Sequence, residues 1–163
     1  DIEPEQNVDV WTICTPYSSD EGNPYDAYED TQASQFEAYR KMTVRMIRNF
    51  NAGYYNGVTW WGNRMLTRFG DTQSAQLYYC MGVSYYKLGY AEKALAMFGQ
   101  IPEDENIYVL MSAYYKALIC REAGDDAGYQ ASCDLLKAYA PDDVYGEAWI
   151  TGWVQSRLAD LQG

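Results

Sequence analysis

Large, mostly apolar side chains recur along the first half of the chain with the period of an α-helix. Between residues 36 and 50 they follow one another at alternating steps of three and four, which places them on one stripe of a helix. The members of this stripe are Phe36, Tyr39, Thr43, Met46 and Phe50. A second helix is predicted over residues 55–69, between Gly53 and Gly70, because glycine commonly ends helices.

The second half of the chain contains a turn pattern that occurs twice. The segment YKLGYAEKA (86–94) is paralleled by REAGDDAGY (121–129), and Gly124 follows Gly89 by 35 residues. Glycine ends a helix and polar residues begin the next one. Each segment therefore predicts the connection between two helices.

Small residues beside the first of these turns predict a close crossing of two helices. Gly82 and Ala94 stand where two antiparallel helices would approach, while Tyr85 and Phe98 would fill the space beside them. Ala117 takes the place of Gly82 in the second copy. We therefore expect Gly82 and Ala94 to be buried between two helices.

These residues also carry a family resemblance. Tyr78, Met81, Gly82, Tyr85, Ala94 and Phe98 resemble the tetratricopeptide-repeat (TPR) pattern, in which a large residue, an apolar–small pair and an aromatic residue precede Ala-x-x-x-Phe. The resemblance implies an all-α fold of antiparallel helix hairpins stacked as a short TPR-like α-solenoid. Its parts would be a degenerate hairpin over 31–70, a first clear repeat over 75–102, a second repeat over 107–141 and a C-terminal capping helix over 144–161. In the second repeat, Lys116 and Tyr129 depart from the pattern.

The same resemblance implies a binding surface on the first helix of each hairpin, where members of the family contact their ligands. Carried onto this sequence, this concave face consists of Gln76, Tyr79, Val83, Tyr86, Met111, Tyr114, Leu118 and Arg121. Most of these side chains are apolar or aromatic, so the face suits a helix or an extended apolar peptide. Alternatively, the N-terminal arm or the final helix of the same chain fills it.

The first 30 residues differ from the rest in their charge. They hold nine acidic residues and no basic one, and three prolines interrupt any long helix. We expect residues 1–30 to form a largely irregular arm. Residues 31–70 carry six basic residues against the single acidic Glu37. The arm is therefore expected to dock on these helices, in its own chain or a neighbouring copy. The expected contacts are Trp11 in the arm and Arg40, Lys41, Arg45 and Arg48 on the helices.

The composition argues against catalysis and metal binding. The chain contains no histidine, which removes the commonest general base and the commonest zinc ligand. Its cysteines, Cys14, Cys80, Cys120 and Cys133, form no CxxC pair, so they are either disulfide-bonded or small buried residues. The formal net charge of −11 would repel nucleic acid. We therefore expect no enzyme activity, no cofactor and no metal.

These features favour a non-catalytic helical-repeat scaffold that mediates protein–protein interaction through its apolar, tyrosine-rich concave face. The alternative is a structural subunit of a larger assembly, extracellular or self-assembled, in which the arm docks on a neighbouring subunit. Its partner would be a peptide, a helix or another subunit, and no apolar run is long enough to insert in a membrane. The chain begins at Asp1 without an initiator methionine. A mature exported protein and a trimmed fragment would both begin in this way, and we expect export rather than a cytoplasmic location.

Overall fold

The computed structural model describes residues 32–70, 74–138 and 148–162. Over these ranges the chain is helical and contains no β-strand, so the prediction of an all-α fold is confirmed for this part of the chain. Its helices are α1 (Gln32–Ala52), α2 (Tyr55–Phe69), α3 (Ala75–Lys87), α4 (Ala91–Gly99), α5 (Asn106–Ala123), α6 (Asp126–Lys137) and α7 (Ala148–Gln162). The predicted acidic arm lies outside the described residues.

The helices belong to two compact units, which are divided after Gln100. Unit 1 contains α1 to α4, and unit 2 contains α5 to α7. Within the described ranges, none of the helices combines the length and the apolar character needed to cross a bilayer.

One backbone turn occurs three times, after α1, α3 and α5. A glycine with positive φ follows each of these helices: Gly53 (78°), Gly89 (89°) and Gly124 (75°). In each turn the glycine amide donates to the carbonyl three residues earlier. The next amide donates to the carbonyl five residues earlier, at 2.8 Å in all three turns. These bonds satisfy the last carbonyls of the helix, and a side chain at the glycine would make the positive φ costly. The first pair of helices therefore has the same connection as the other two pairs.

Aromatic side chains of α1, α2 and α3 meet in the core of unit 1, among aliphatic and methionine side chains. The ring of Phe50 lies 6.3 Å from that of Tyr55 and 6.1 Å from that of Tyr79, between centroids. Gly82 and Ala94 are both buried, as predicted. A Cβ at Gly82 would lie less than 3.0 Å from three ring atoms of Phe98 in α4. The absent side chain therefore sets how closely α3 and α4 pack.

In unit 2, α7 contacts both α5 and α6. The Tyr114 ring of α5 lies 6.1 Å from the Trp153 ring of α7, edge to face. Arg157 places its guanidinium over both rings, 5.2 Å from the centroid of Tyr114 and 5.3 Å from that of Trp153. Ile150 of α7 is fully buried. The last helix thus covers part of the surface of α5.

Candidate functional site

An open groove of about 970 Å³ runs along α2 in unit 1. It is lined by Met42 of α1 and by Asn56, Thr59, Trp60, Asn63, Arg64, Thr67 and Arg68 of α2. The residues from α2 recur at steps of three and four, which places them on one face of that helix. The remaining side of α2 supplies the buried residues Val58, Gly62 and Met65. Because α2 is amphipathic, one face packs in the core and the opposite face lines the groove.

Cations stacked on aromatic rings are the main chemical feature of this groove. The guanidinium of Arg64 lies 4.6 Å above the centroid of the Trp60 ring, and that ring is 54% exposed. Trp60 in turn meets the edge of Trp61, with centroids 4.8 Å apart. Next to these lining residues, Arg45 of α1 lies over Trp61 at 5.6 Å, and the lining residue Arg68 lies over Phe69 at 5.4 Å. Stacking on a ring limits the motion of a guanidinium, and a guanidinium binds planar anions through its edge.

Asn63 forms a hydrogen bond between the groove face of α2 and helix α3. Its side-chain amide donates to the backbone carbonyl of Thr59 at 2.8 Å and to the hydroxyl of Tyr85 in α3 at 3.0 Å. Two bonds from one amide group fix its orientation on the groove wall. Tyr85, which the sequence assigned to helix packing, therefore also positions a groove residue.

The groove is cationic although the protein as a whole is acidic. Its eight lining residues within the described ranges include two arginines and no carboxylate, whereas the chain has a formal net charge of −11. A groove lined by charge of one sign raises the local concentration of the opposite sign. Arginine also forms paired, charge-assisted hydrogen bonds with carboxylates. The groove is therefore suited to an acidic ligand that carries apolar or aromatic groups.

The predicted concave face divides between the two units, and its members differ in exposure. Tyr79 and Val83 in unit 1 and Met111 in unit 2 are fully buried. They are therefore core residues here, without surface for a partner. Gln76, Tyr86, Tyr114 and Leu118 are half-buried and Arg121 is exposed.

Within unit 2, the final helix covers part of that predicted face. Tyr114 packs against Trp153 of α7. Arg121 donates from Nη1 to the backbone carbonyl of Leu161, at 3.1 Å. The final helix therefore contacts two of the residues that the sequence assigned to this face.

The basic residues predicted to receive the arm have several different environments. Lys41 is buried, and its Nζ lies 3.9 Å from the carboxylate of Glu37. Arg40 stacks over Phe36 at 5.7 Å, while Arg48 is exposed. Trp11 lies outside the described residues.

The sequence reasoning predicted none of the eight described groove residues as a site residue, and those it missed include Trp60, Asn63, Arg64 and Arg68. The available signal was the spacing of Trp60, Arg64 and Arg68 at steps of four, since such residues lie one above another on a helix. The exposure of Trp60 could not be read from that spacing.

No disulfide joins the described cysteines to one another, and Cys80 and Cys133 are buried while Cys120 is half-buried. Cys14 lies outside the described residues. Burial raises the pKa of the Cys120 thiol, and the neighbouring Asp125 carboxylate raises it further. Among the residues that the structure describes, no group of three or more cysteines and carboxylates could hold a metal ion.

The role of Asp125 leads to a testable difference in thiol reactivity. Asp125 caps α6 by accepting from the amide of Gly128 at 2.9 Å. Asn caps helices as well as Asp does but carries no charge. We expect Asp125→Asn to lower the pH at which Cys120 reaches half-maximal alkylation, because the thiolate is the reacting form. Iodoacetamide labelling followed by peptide mass spectrometry measures this, with Cys133 as the internal control. An unchanged pH profile for Cys120 would contradict the assigned effect of Asp125.

Comparison of the chain with protein-family models, with curated proteins and with solved structures gave no match. The candidate function therefore follows from the groove, its charge and the repeated turns.

Proposed function

We propose that this protein is a non-catalytic helical-repeat scaffold whose groove along α2 binds an acidic segment of a protein partner. The observation that carries this proposal is the Arg64–Trp60 stack beside Arg68, in an open groove whose described lining residues include no carboxylate. We assign the binding surface to α2 and not to the tyrosine-rich concave face, because Tyr79, Val83 and Met111 are core residues.

The repeated turns support the scaffold part of the proposal. Gly53, Gly89 and Gly124 follow one another at intervals of 36 and 35 residues, close to the period of about 34 in TPR proteins. Each turn has the same two hydrogen bonds. We propose that α1–α2, α3–α4 and α5–α6 are successive hairpins of a TPR-like repeat.

The dimensions of the groove suit a short extended peptide. From Asn56 to Arg68 there are twelve steps along α2, or about 18 Å at 1.5 Å per residue. An extended peptide of five or six residues covers roughly this length. Carboxylates on such a peptide would meet Arg64 and Arg68, and an apolar side chain would contact the exposed ring of Trp60.

A peptide-binding measurement tests this function. The probe is a synthetic peptide of about ten alternating Glu and Tyr residues, long enough to fill the groove. Its affinity is measured by isothermal titration calorimetry. We expect Arg64→Gln to weaken binding about tenfold, because a hydrogen bond to a charged group contributes about 1.5–3 kcal/mol. Binding should also weaken at high salt.

Two controls separate groove recognition from general charge attraction. Lys137→Gln removes the same charge from an exposed position of α6 in unit 2, and it should leave the affinity unchanged. A peptide with Gln in place of Glu should bind much more weakly. If the Gln peptide binds equally well, or if Arg64→Gln has no effect, the proposed function is wrong.

A further inference from the structure

We infer that the groove along α2 is occupied by the acidic segment that precedes α1 in the same chain. This segment, residues 1–30, lies outside the described residues. The inference rests on the proposed function and deepens it, since it names an occupant of the same groove. An external partner would then have to displace the protein's own segment.

Charge complementarity is the first argument. Residues 1–30 carry nine carboxylates and no cation. The groove carries Arg64 and Arg68, with Arg45 next to it over Trp61. Only one acidic residue, Glu37, occurs in residues 31–70, and its carboxylate lies near the buried Lys41. The negative charge of the segment is therefore complementary to the positive charge of the groove in unit 1.

The position of the tether is the second argument. The segment joins α1 at Gln32, seven residues before Tyr39. The Tyr39 ring packs against Phe69, with centroids 5.3 Å apart, and Phe69 follows Arg68 directly. Seven helical residues span about 10 Å, so the segment enters the fold close to the Arg68 end of the groove. About three extended residues cover that distance, which leaves the rest of the segment to follow the groove.

The chemistry of the residues nearest the tether fits the stacked rings. The stretch DEGNPYDAYED (20–30) places Tyr25 and Tyr28 among carboxylates. Phe36, at the start of α1, is 63% exposed and lies beneath the guanidinium of Arg40. The segment therefore offers acidic and aromatic groups, and both α1 and the groove along α2 carry arginine and aromatic groups that can bind them.

Because the segment is covalently attached to α1, even a weak interaction is sufficient for it to occupy the groove most of the time. A short flexible connection gives an effective concentration in the millimolar range. A segment whose intrinsic Kd is about 0.1 mM would then fill the groove about nine-tenths of the time. An external peptide would see its affinity reduced by the free fraction, or about tenfold.

The test uses the full chain with four of the nine carboxylates of the segment removed. The variant carries Asp20→Asn, Asp26→Asn, Glu29→Gln and Asp30→Asn. Its affinity for the Glu–Tyr peptide is compared with that of the native chain. We expect the variant to bind the peptide about tenfold more tightly. We also expect the Trp60 indole and Arg64 side-chain NMR signals to shift between the two proteins. Adding Arg64→Gln to the variant should abolish the gain in affinity.

A charge-matched control carries Glu92→Gln, Glu103→Gln, Asp104→Asn and Asp126→Asn, all at exposed positions. It changes the net charge equally and should leave the affinity at the native value. An equal gain in this control would overturn the inference, because it would assign the effect to net charge.

The remaining outcomes distinguish this inference from the proposed function. If the native chain and the segment variant bind the peptide equally while Arg64→Gln still weakens binding, the inference is wrong and the proposed function stands. If no form of the chain binds the acidic peptide, both are wrong. Light scattering identifies a second copy as the occupant. If the native chain is a dimer and the segment variant is a monomer, the segment docks on a second copy, and docking within one chain is overturned.

Discussion

Replacing Gly82 with leucine should destabilise unit 1 by about 3 kcal/mol, at the upper end of what overpacking costs. Gly82 is buried, and even a Cβ there would lie less than 3.0 Å from three ring atoms of Phe98. Phe98 is only 2% exposed, so its ring has little room to move. The larger side chain would have to separate α3 from α4. Urea denaturation followed by far-ultraviolet circular dichroism measures the loss of stability.

The matched control is Gly152→Leu in α7. Gly152 is helical and exposed, and a Cβ added there meets nothing within 4 Å. This variant should keep its stability or gain up to about 1 kcal/mol, because leucine is a better helix former than glycine. Equal denaturation midpoints for Gly82→Leu and the native chain would show that the α3–α4 packing is not as described.

The second large effect is expected from Leu136→Ala in unit 2. Leu136 is fully buried, and removing its side chain leaves a cavity that should cost about 2–5 kcal/mol. Its neighbour Leu135 is 42% exposed, so Leu135→Ala should change stability by only about 0.5 kcal/mol. Hydrogen exchange of the α6 amides, compared between these two variants, measures the difference within unit 2 itself.

This pair of variants tests the rotation of α6 about its axis. Tyr129 stands where the repeat pattern has a small residue, so the pattern alone defines the buried face of α6 poorly. Equal effects of Leu135→Ala and Leu136→Ala would mean that α6 is rotated relative to the described structure.

The groove shows how a binding surface can escape sequence reasoning. The basic character of residues 31–70 was evident, and it led to Arg40, Lys41, Arg45 and Arg48 as the receiving residues. The structure instead buries Lys41 and stacks Arg45 on Trp61. It places Trp60, Arg64 and Arg68 along an open groove. Charge counting identified the helices that carry the groove, but it could not identify the face.

The sequence by itself determined the features that depend on a few neighbouring residues. The three turns follow from glycines that can adopt positive φ and from bonds that reach back three and five residues. The burial of Gly82 and Ala94 followed from small residues placed on either side of one such turn. Local geometry and residue size were enough for these predictions.

Only the tertiary structure decided which helical faces remain exposed. Residues 77–84 of α3 are buried without interruption, since α3 contacts α1, α2 and α4. Tyr79 and Val83 therefore lie in the core, although the family resemblance had assigned them to a ligand-binding concave face. Conversely, none of the described helices covers the side of α2 that carries Trp60 and Arg64. Periodicity identifies the residues that share a face, but the number of neighbouring helices determines whether that face is covered.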